Sequence, residues 1–320
     1  MSISQDTIDV SIIVLTYYHE KFIAQALDSI LSQQTKLKYE ILIGDDASED
    51  RTPEIIAEYA RRYPKIIRPF FRKENLGATR NSWELRQKAK GKYVASLEGD
   101  DFWIDPQRLQ KQWEFLESNA DYIGCCGKCL VVNENGQPDY ESSCHFAWNK
   151  KVFTMDDMIE SWQAPAQGGT LMYRNVFRGM EPEEYAINYQ LHRNVGDKTT
   201  YLFLLSFGPI YCSNEIFSAY RFVDKAEGNN WFSIHHANPY RDYDMFMYPC
   251  KLESWARKRI KIPPNKHFGK RNPYRFARFV RSFVREPEWK KTKYLLDMLV
   301  HSHQPLKYSW YVLKALIEME

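Results

Sequence analysis

Val10-Ser11-Ile12-Ile13-Val14-Leu15-Thr16 is an almost unbroken apolar run, rich in β-branched residues. Such a run suits a strand buried on both faces of a parallel sheet. The residues after it set a repeating pattern. Ile23, Ala26, Leu27, Ile30 and Leu31 recur at the spacing of an amphipathic helix. Tyr39 to Gly44 reads as a second strand, running into Asp45-Asp46. Thr52-Pro53 reads as a cap with proline at the first helical position, before a stripe of Ile56, Tyr59, Ala60 and Tyr63. Ile66 to Phe71 is a third strand. Asn75-Leu76-Gly77 turns into a helix through Ala89, and Lys92 to Leu97 is a fourth strand, closing on Glu98-Gly99-Asp100-Asp101. Repeated βα units of this kind predict an α/β fold with a doubly wound, mostly parallel sheet, whose ligands bind beyond the carboxyl ends of the strands.

Further along, Leu109–Leu116 continues as helix, Tyr122 to Val132 as strand, and Asn135-Gly136 as a hairpin signal. Thr154-Met155-Asp156-Asp157 resembles a capping box with Asp in place of Glu. Asp197 to Phe207 is expected to be a helix stopped by Gly208-Pro209, and Ile216 to Phe222 a strand. The expected division is a catalytic domain over 1–250, with a nucleotide half at about 8–130 and an acceptor half at about 131–250. A basic, aromatic-rich, helical carboxyl-terminal subdomain completes the chain over 251–320.

With 320 residues and 44% hydrophobic content the chain can build a large core. No apolar run approaches the ~20 residues of a membrane span. The first residues show no secretory leader, so the expected location is the cytoplasm. Six cysteines are too few for a disulfide scaffold. Cys126 and Cys129 have the spacing of a zinc knuckle that Cys144 could complete, but they fall in a strand, where cysteines serve as small hydrophobes. Net charge is +3, unevenly spread: Lys251 to Arg285 holds twelve basic residues and one acid, Glu253, leaving 32 basic against 40 acidic residues elsewhere.

The two carboxylate pairs, Asp45-Asp46 and Asp100-Asp101, fall where a parallel sheet presents its ligand. Side chains alternate along a strand, so adjacent acids at its end point apart: one can meet a divalent cation and the other a hydroxyl or a base edge. Hard oxygen donors in small number suit Mg²⁺ or Mn²⁺ completed by substrate phosphates. The chain has no G-x-G-x-x-G after a strand, no P-loop and no G-x-S-x-G elbow, which disfavours dinucleotide-binding, P-loop and serine-hydrolase chemistry.

Val10 to Tyr17, Ala26 to Gln33, Glu40 to Asp50, Asn75-Leu76-Gly77, Arg80-Asn81 and Leu97 to Trp103, in that order, resemble a family 2 glycosyltransferase of the GT-A fold. The resemblance covers about 8–118 well, then thins through Val195-Gly196-Asp197 and Tyr220-Arg221. It implies an inverting, metal-dependent transferase of hexosyltransferase type. The donor is a nucleotide-sugar, with UDP as the expected nucleotide. The acceptor is a glycan or lipid-linked saccharide of surface polysaccharide biosynthesis. It further implies that Thr16, Tyr17 and Asp46 line the nucleobase pocket, that Arg80 approaches the ribose or diphosphate, and that Asp100 faces the ribose. Asp101 would hold Mn²⁺ or Mg²⁺ from an exposed loop, and Asp197 would be the general base. Asp is also a favoured N-cap, so Asp197 can serve a purely structural role. Relatives often carry Asn where Tyr18 stands, and a histidine after the Tyr-Arg pair that Phe222-Val223 lacks; His235 and His236 are not assigned to the site.

Two other classes compete: a sugar-phosphate nucleotidyltransferase, and a non-catalytic glycan-binding protein. The first wants a glycine-rich triphosphate loop with a nearby cation, which Ser11–Lys21 does not supply. The second has no need of Asp46, Asp100, Asp101 and Asp197 together. Between Tyr274 and Arg285, Phe276, Phe279, Val280, Phe283 and Val284 share a helical face bordered by Arg275, Arg278, Arg281 and Arg285. That pattern fits a helix lying on an anionic membrane surface, peripheral on the inner face of the cytoplasmic membrane, or a helix docked on protein. The acidic remainder of the chain disfavours nucleic acid.

Overall fold

The computed structural model describes residues 7–140, 149–222, 238–263, 268, 273–285, 288–302 and 308–310. At its centre lies β1 (Val10–Thr16), whose residues are almost all buried. It pairs in parallel with β2 (Tyr39–Asp45) on one side and β4 (Tyr93–Glu98) on the other, while β3 (Ile67–Phe71) extends the sheet beyond β2. Between these strands run α1 (Ile23–Leu31), α2 (Thr52–Arg62) and α3 (Ala78–Arg86). The stripes anticipated for α1 and α2 face the sheet: Ile23, Ala26, Leu27 and Ile30 are fully buried, and Ile56 and Tyr59 lie in the same core. Thr52 does not cap α2. Arg51 occupies the N-cap without a side-chain bond, and the buried Thr52 hydroxyl accepts the His19 main-chain N–H at 2.9 Å.

The chain then adds β5 (Phe102–Trp103), α4 (Arg108–Ser118), β6 (Gly124–Val132), β7 (Val152–Phe153), α5 (Met155–Ser161), β8 (Met172–Arg174), α6 (Ile187–Gln190), α7 (Asp197–Leu205) and β9 (Ile210–Arg221). The nine strands form one sheet in the order β3-β2-β1-β4-β8-β6-β9-β5, with β7 on β9. Most of the pairing is parallel, and the short antiparallel contacts of β8, β5 and β7 fold the second half of the chain back onto the first. Connectivity reverses between β1 and β4: the chain winds outward through β2 and β3, then returns to place β4 on the opposite side of β1. Such a reversal opens a crevice at the carboxyl ends of the two strands.

The opposite end of the sheet is sealed. The Ser11 hydroxyl donates to Glu40 Oε1 at 2.7 Å, and Arg68 Nη1 reaches Glu40 Oε2 at 2.8 Å. The Gly91 N–H donates to Ser11 Oγ, and a Cβ on Gly91 would stand 2.4 Å from the Ser11 nitrogen, so only glycine fits the entry to β4.

The described residues fall into two compact units. One lies within Met1–Met155 and Gln163–Asp224, the other within Asp156–Trp162 and Lys225–Glu320. The second contains α8 (Arg241–Arg259), α9 (Pro273–Arg285) and α10 (Trp289–His301). The division therefore differs from a boundary at 250, which would cut α8 in its interior. Phe276, Phe279 and Val280 of α9, with Val284 partly buried, pack on Phe246, Met247 and Cys250 of α8 and Met298 of α10. Arg275 and Arg278 reach Asp242 of α8 at 3.3 and 3.2 Å. The apolar face that the sequence offered to a membrane is the core of this unit, and two of its flanking arginines are ion-paired. Among the described residues no helix is long and apolar enough to cross a membrane.

Truncating a buried aromatic in such a core typically costs about 3–5 kcal/mol. Phe279→Ala should lower the unfolding free energy of the second unit by that amount in urea titration followed by circular dichroism. A lipid-facing Phe279 would give almost no change.

Candidate active site

Alternation along β4 turns Ser96 and Glu98 to one face, and both line a cavity of about 70 Å³ where β1 and β4 end. Thr79, Ser82 and Arg86 of α3 close one wall, and Gly168 and Gly169 another. Asn188, Gly196, Asp197, Thr200 and Tyr201 complete it. Asp197 is the first residue of α7. Gly196 is the N-cap and no side chain caps the helix, so Asp197 is not the cap of α7. A Cβ on Gly196 would lie 2.9 Å from Thr79 Cγ2, which keeps the start of α7 tight against α3.

Glu98 and Asp197 share two properties. Each side chain is open to solvent through the cavity mouth although protein crowds around it. Neither carboxylate has a hydrogen-bond donor or ion-pair partner among the described residues. Crowding, then the Asp100 and Asp197 charges, pushes the Glu98 carboxyl up to about 8. Crowding also raises Asp197, opposed by the positive charges of Arg86 and Lys198. These are two uncommitted carboxyl groups that open onto one cavity.

Asp100 and Asp101 come directly after β4 and differ sharply. The Asp100 side chain is 29% exposed, with His19 Nε2 3.7 Å from its Oδ2. Asp101 is 2% exposed, which corrects the expectation of an exposed loop carboxylate. Its Oδ1 accepts the Arg221 main-chain N–H at 2.8 Å and its Oδ2 accepts Gln167 Nε2 at 2.9 Å. Burial, then the Asp100 and Glu98 charges, holds its carboxyl well above the usual range, against the opposing Arg221. The Arg221 guanidinium ties the region together: Nε donates to the Asp100 carbonyl at 2.8 Å, Nη1 to the Asn133 and Glu134 carbonyls, and Nη2 to Gln25 Oε1 at 2.8 Å.

Thr16 ends β1, is 3% exposed, and its hydroxyl is buried with no partner among the described residues. Tyr17 is half-buried, edge-on to Tyr18 at 4.6 Å, where the chain turns through a left-handed Tyr18 (φ 57°). Asp46 is buried after β2, and its two oxygens accept the Leu76 and Gly77 N–H groups at 2.7 and 2.8 Å. Gly77 has φ 86°, and a Cβ there would meet Arg193 Cγ at 2.2 Å. Arg80 is not brought to the cavity. It projects from α3 toward Glu84 Oε1 at 3.3 Å and the Tyr189 ring at 5.8 Å. Its neighbour Asn81 is the buried member of the pair, donating to the Gly44 carbonyl at 2.8 Å.

Glu98, His19, Gln167 and Arg86 are site residues that sequence reasoning passed over. Period-two alternation back from the carboxyl end of β4 could have found Glu98; nothing in the sequence signals the other three. His235, His236, Cys144 and His145 lie outside the described residues. Cys125 and Cys126 are buried in β6, and Cys126 Sγ stands 3.7 Å from Cys212 Sγ. Among the described residues no group of three His, Cys, Asp or Glu side chains is arranged to hold a metal ion.

A model of the family described as Glycosyl transferase family 2 matches residues 11–178. An uncharacterized protein of Mycobacterium tuberculosis is 41% identical over 131 residues, 41% of this chain and 38% of the relative. The match thus spans well under half of that relative's length. A Bacillus subtilis protein named for glycosyl transfer in teichuronic acid biosynthesis, TuaG, is 28% identical over 69% of this chain and 82% of its own. The crystal structure of Staphylococcus aureus TarS 1–349 in complex with UDP-GlcNAc superposes with a TM-score of 0.60 at 15% identity, covering 93% of this chain and 81% of that one. The sheet and its helices therefore have the GT-A architecture of TarS.

The two adjacent aspartates should respond differently to truncation. Asp101→Ala strands two buried donors, at about 1–3 kcal/mol for an unsatisfied group. Asp100→Ala, at a half-exposed side chain, should stay within about 0.5 kcal/mol. Thermal unfolding of the two variants checks the contrast.

Proposed function

Because the chain belongs to glycosyl transferase family 2, we propose that it is an inverting glycosyltransferase. In this reading it moves a sugar from a nucleotide-sugar donor, a UDP-sugar, to a hydroxyl of a glycan or lipid-linked acceptor. The acceptor belongs to surface polysaccharide assembly, and the enzyme works in the cytoplasm. The observation that carries the reading is the pair of uncommitted carboxylates, Glu98 and Asp197, in one cavity at the reversal between β1 and β4. The Bacillus subtilis relative named for teichuronic acid biosynthesis and a Bacillus spizizenii relative named poly(ribitol-phosphate) beta-glucosyltransferase support the polysaccharide context. The UDP-GlcNAc named for TarS supports the donor class.

Each residue then has a task. Asp46 keeps one lone pair on each oxygen for a base N–H after accepting from the 76–77 turn. The unpartnered Thr16 hydroxyl and the half-buried Tyr17 flank it at the end of β1. Asp100 faces the ribose. Asp197 takes the proton of the acceptor hydroxyl. The acceptor oxygen forms its bond to the anomeric carbon as the bond from that carbon to the diphosphate breaks, which inverts the anomeric configuration. Holding both reactants in line supplies much of the acceleration.

A divalent cation fits this donor set. Burial, then repulsion from neighbouring carboxylates, holds the Glu98 and Asp101 carboxyls above their ordinary range, and a cation beside them would favour their ionised forms. Asp101, through its remaining lone pairs, would hold Mn²⁺ or Mg²⁺, with phosphate oxygens completing its shell. When bound, the cation stabilises negative charge on the departing diphosphate.

Nucleotide release from a panel of UDP-sugars with Mn²⁺ tests the activity, and excess EDTA should abolish it. Unaltered turnover in EDTA would remove the metal. Asp197→Asn should lower kcat by about 10² or more with nucleotide affinity nearly unchanged. The raised Asp197 must be ionised to act, so kcat/KM should fall as pH drops through its elevated value and level off above it.

A further inference from the structure

Arg86 on α3 is a buried cation that the fold leaves without a carboxylate in contact. It is 8% exposed and forms no ion pair among the described residues. Two phenols fix it instead: Nε donates to the Tyr173 hydroxyl at 3.1 Å and Nη1 to the Tyr185 hydroxyl at 3.4 Å. Tyr185 donates in turn to Thr200 Oγ1 at 3.0 Å, and Thr200 Oγ1 donates to the Gly196 carbonyl at 3.1 Å. Asn188 Nδ2 reaches both the Tyr185 and Thr200 hydroxyls. A continuous set of hydrogen bonds thus runs from the guanidinium to the N-cap of the helix that begins with Asp197.

Keeping a charge buried without a partner is strongly unfavourable. A structure that retains one has a compensating charge close by or supplies one to a ligand. Asp197 lines the same cavity and is itself uncommitted. The charged and titratable groups that face it are few. Arg86 comes from α3, Glu98 from the end of β4 and Tyr173 from β8, while Lys198 and Tyr201 share its own helix. On the remaining side, Gly168 brings no charge: its Cβ position lies 3.6 Å from Asp197 Oδ1. Among the described residues on other elements, Arg86 is the cation that favours ionisation of Asp197.

We infer that Arg86 is a positioning residue for Asp197: fixed by Tyr173 and Tyr185 in the wall of the cavity, its guanidinium is the countercharge that keeps the carboxylate ionised beside Glu98. The assignment of Asp197 as the base rests on the glycosyltransferase reading; the electrostatic pairing does not. Lys198 also contributes positive charge, but its ammonium sits on a flexible stem, whereas Arg86 presents a planar fork already fixed by two acceptors.

The test separates the two. In protein labelled with ¹³C at aspartate carboxyls, the Asp197 signal is identified by its loss in Asp197→Asn, then tracked against pH. Arg86→Gln should move its midpoint upward by about one unit or more, and Arg86→Lys should restore most of the shift. An unmoved midpoint in folded Arg86→Gln overturns the inference. Should that variant fail to fold, Tyr173→Phe and Tyr185→Phe keep the charge but loosen it: an upward shift in either supports the inference, and no shift in both overturns it. In the enzyme assay, the acid limb of kcat/KM should show the same displacement in Arg86→Gln, with donor KM unchanged and the rate recovering at high pH. A uniform loss at every pH would mark a merely structural role and count against the inference. Absence of turnover by the wild type with every nucleotide sugar would fail the glycosyltransferase reading and leave the titration result standing.

Discussion

The Arg221 guanidinium holds the candidate active site in place. Glu98, Asp100 and Asp101 crowd the carboxyl end of β4, and like charges at such spacing repel. Arg221 answers in two ways. Its main-chain N–H and its positive charge stabilise Asp101, while its side chain is committed to main-chain and amide oxygens rather than to a carboxylate. It draws together the acidic loop, the turn at Asn133–Glu134 and Gln25 on α1, and lies 4.5 Å over the Phe22 ring. Saturating the donors with neutral acceptors fixes the fork without cancelling its charge, so the field at the acids persists. Gln167 does the complementary job from the other side: its amide nitrogen binds Asp101 and its amide oxygen accepts the Gly169 N–H. The shape of the cavity wall and the placement of Asp101 are therefore one constraint.

Local patterns made the first half of the sheet, β1 to β4, legible. Continuous apolar runs gave β1 and β2, and helical stripes gave α1 and α2, because parallel strands covered on both faces leave little freedom of composition. The carboxyl-end acids were legible for the same reason: once the strands are known, topology says where ligands go. Exposure was not. Asp101 reads as a loop carboxylate until Arg221 and Gln167, distant in sequence, are seen to bury it. Arg80 and Asn81 show the limit from another side: residues one position apart on a helix face different directions, Asn81 buried on the Gly44 carbonyl and Arg80 projecting toward Glu84 and Tyr189, and adjacency in sequence does not say which is which.

The second unit shows a different limit. The apolar face of α9 flanked by arginines is the signature of an interfacial helix, and equally that of a helix in a small all-helical core whose neighbours are supplied elsewhere in the chain. Periodicity says that a face is buried and is silent on what buries it. Here α8 and α10 do so, and Asp242 accounts for two of the arginines.

The hydrogen bond from Arg221 to Asp101 closes a loop of 120 residues. As the polypeptide is synthesised, β1 to β4 can pair and pack from local contacts long before β9 exists. The acids at the end of β4 spend that interval without their countercharge. Contacts of such long range form late because ordering the intervening chain costs entropy before the contact repays it. The β1–β4 half can thus mature as a scaffold before β9 docks, and the repulsion at the end of β4 is relieved only once Arg221 reaches Asp101.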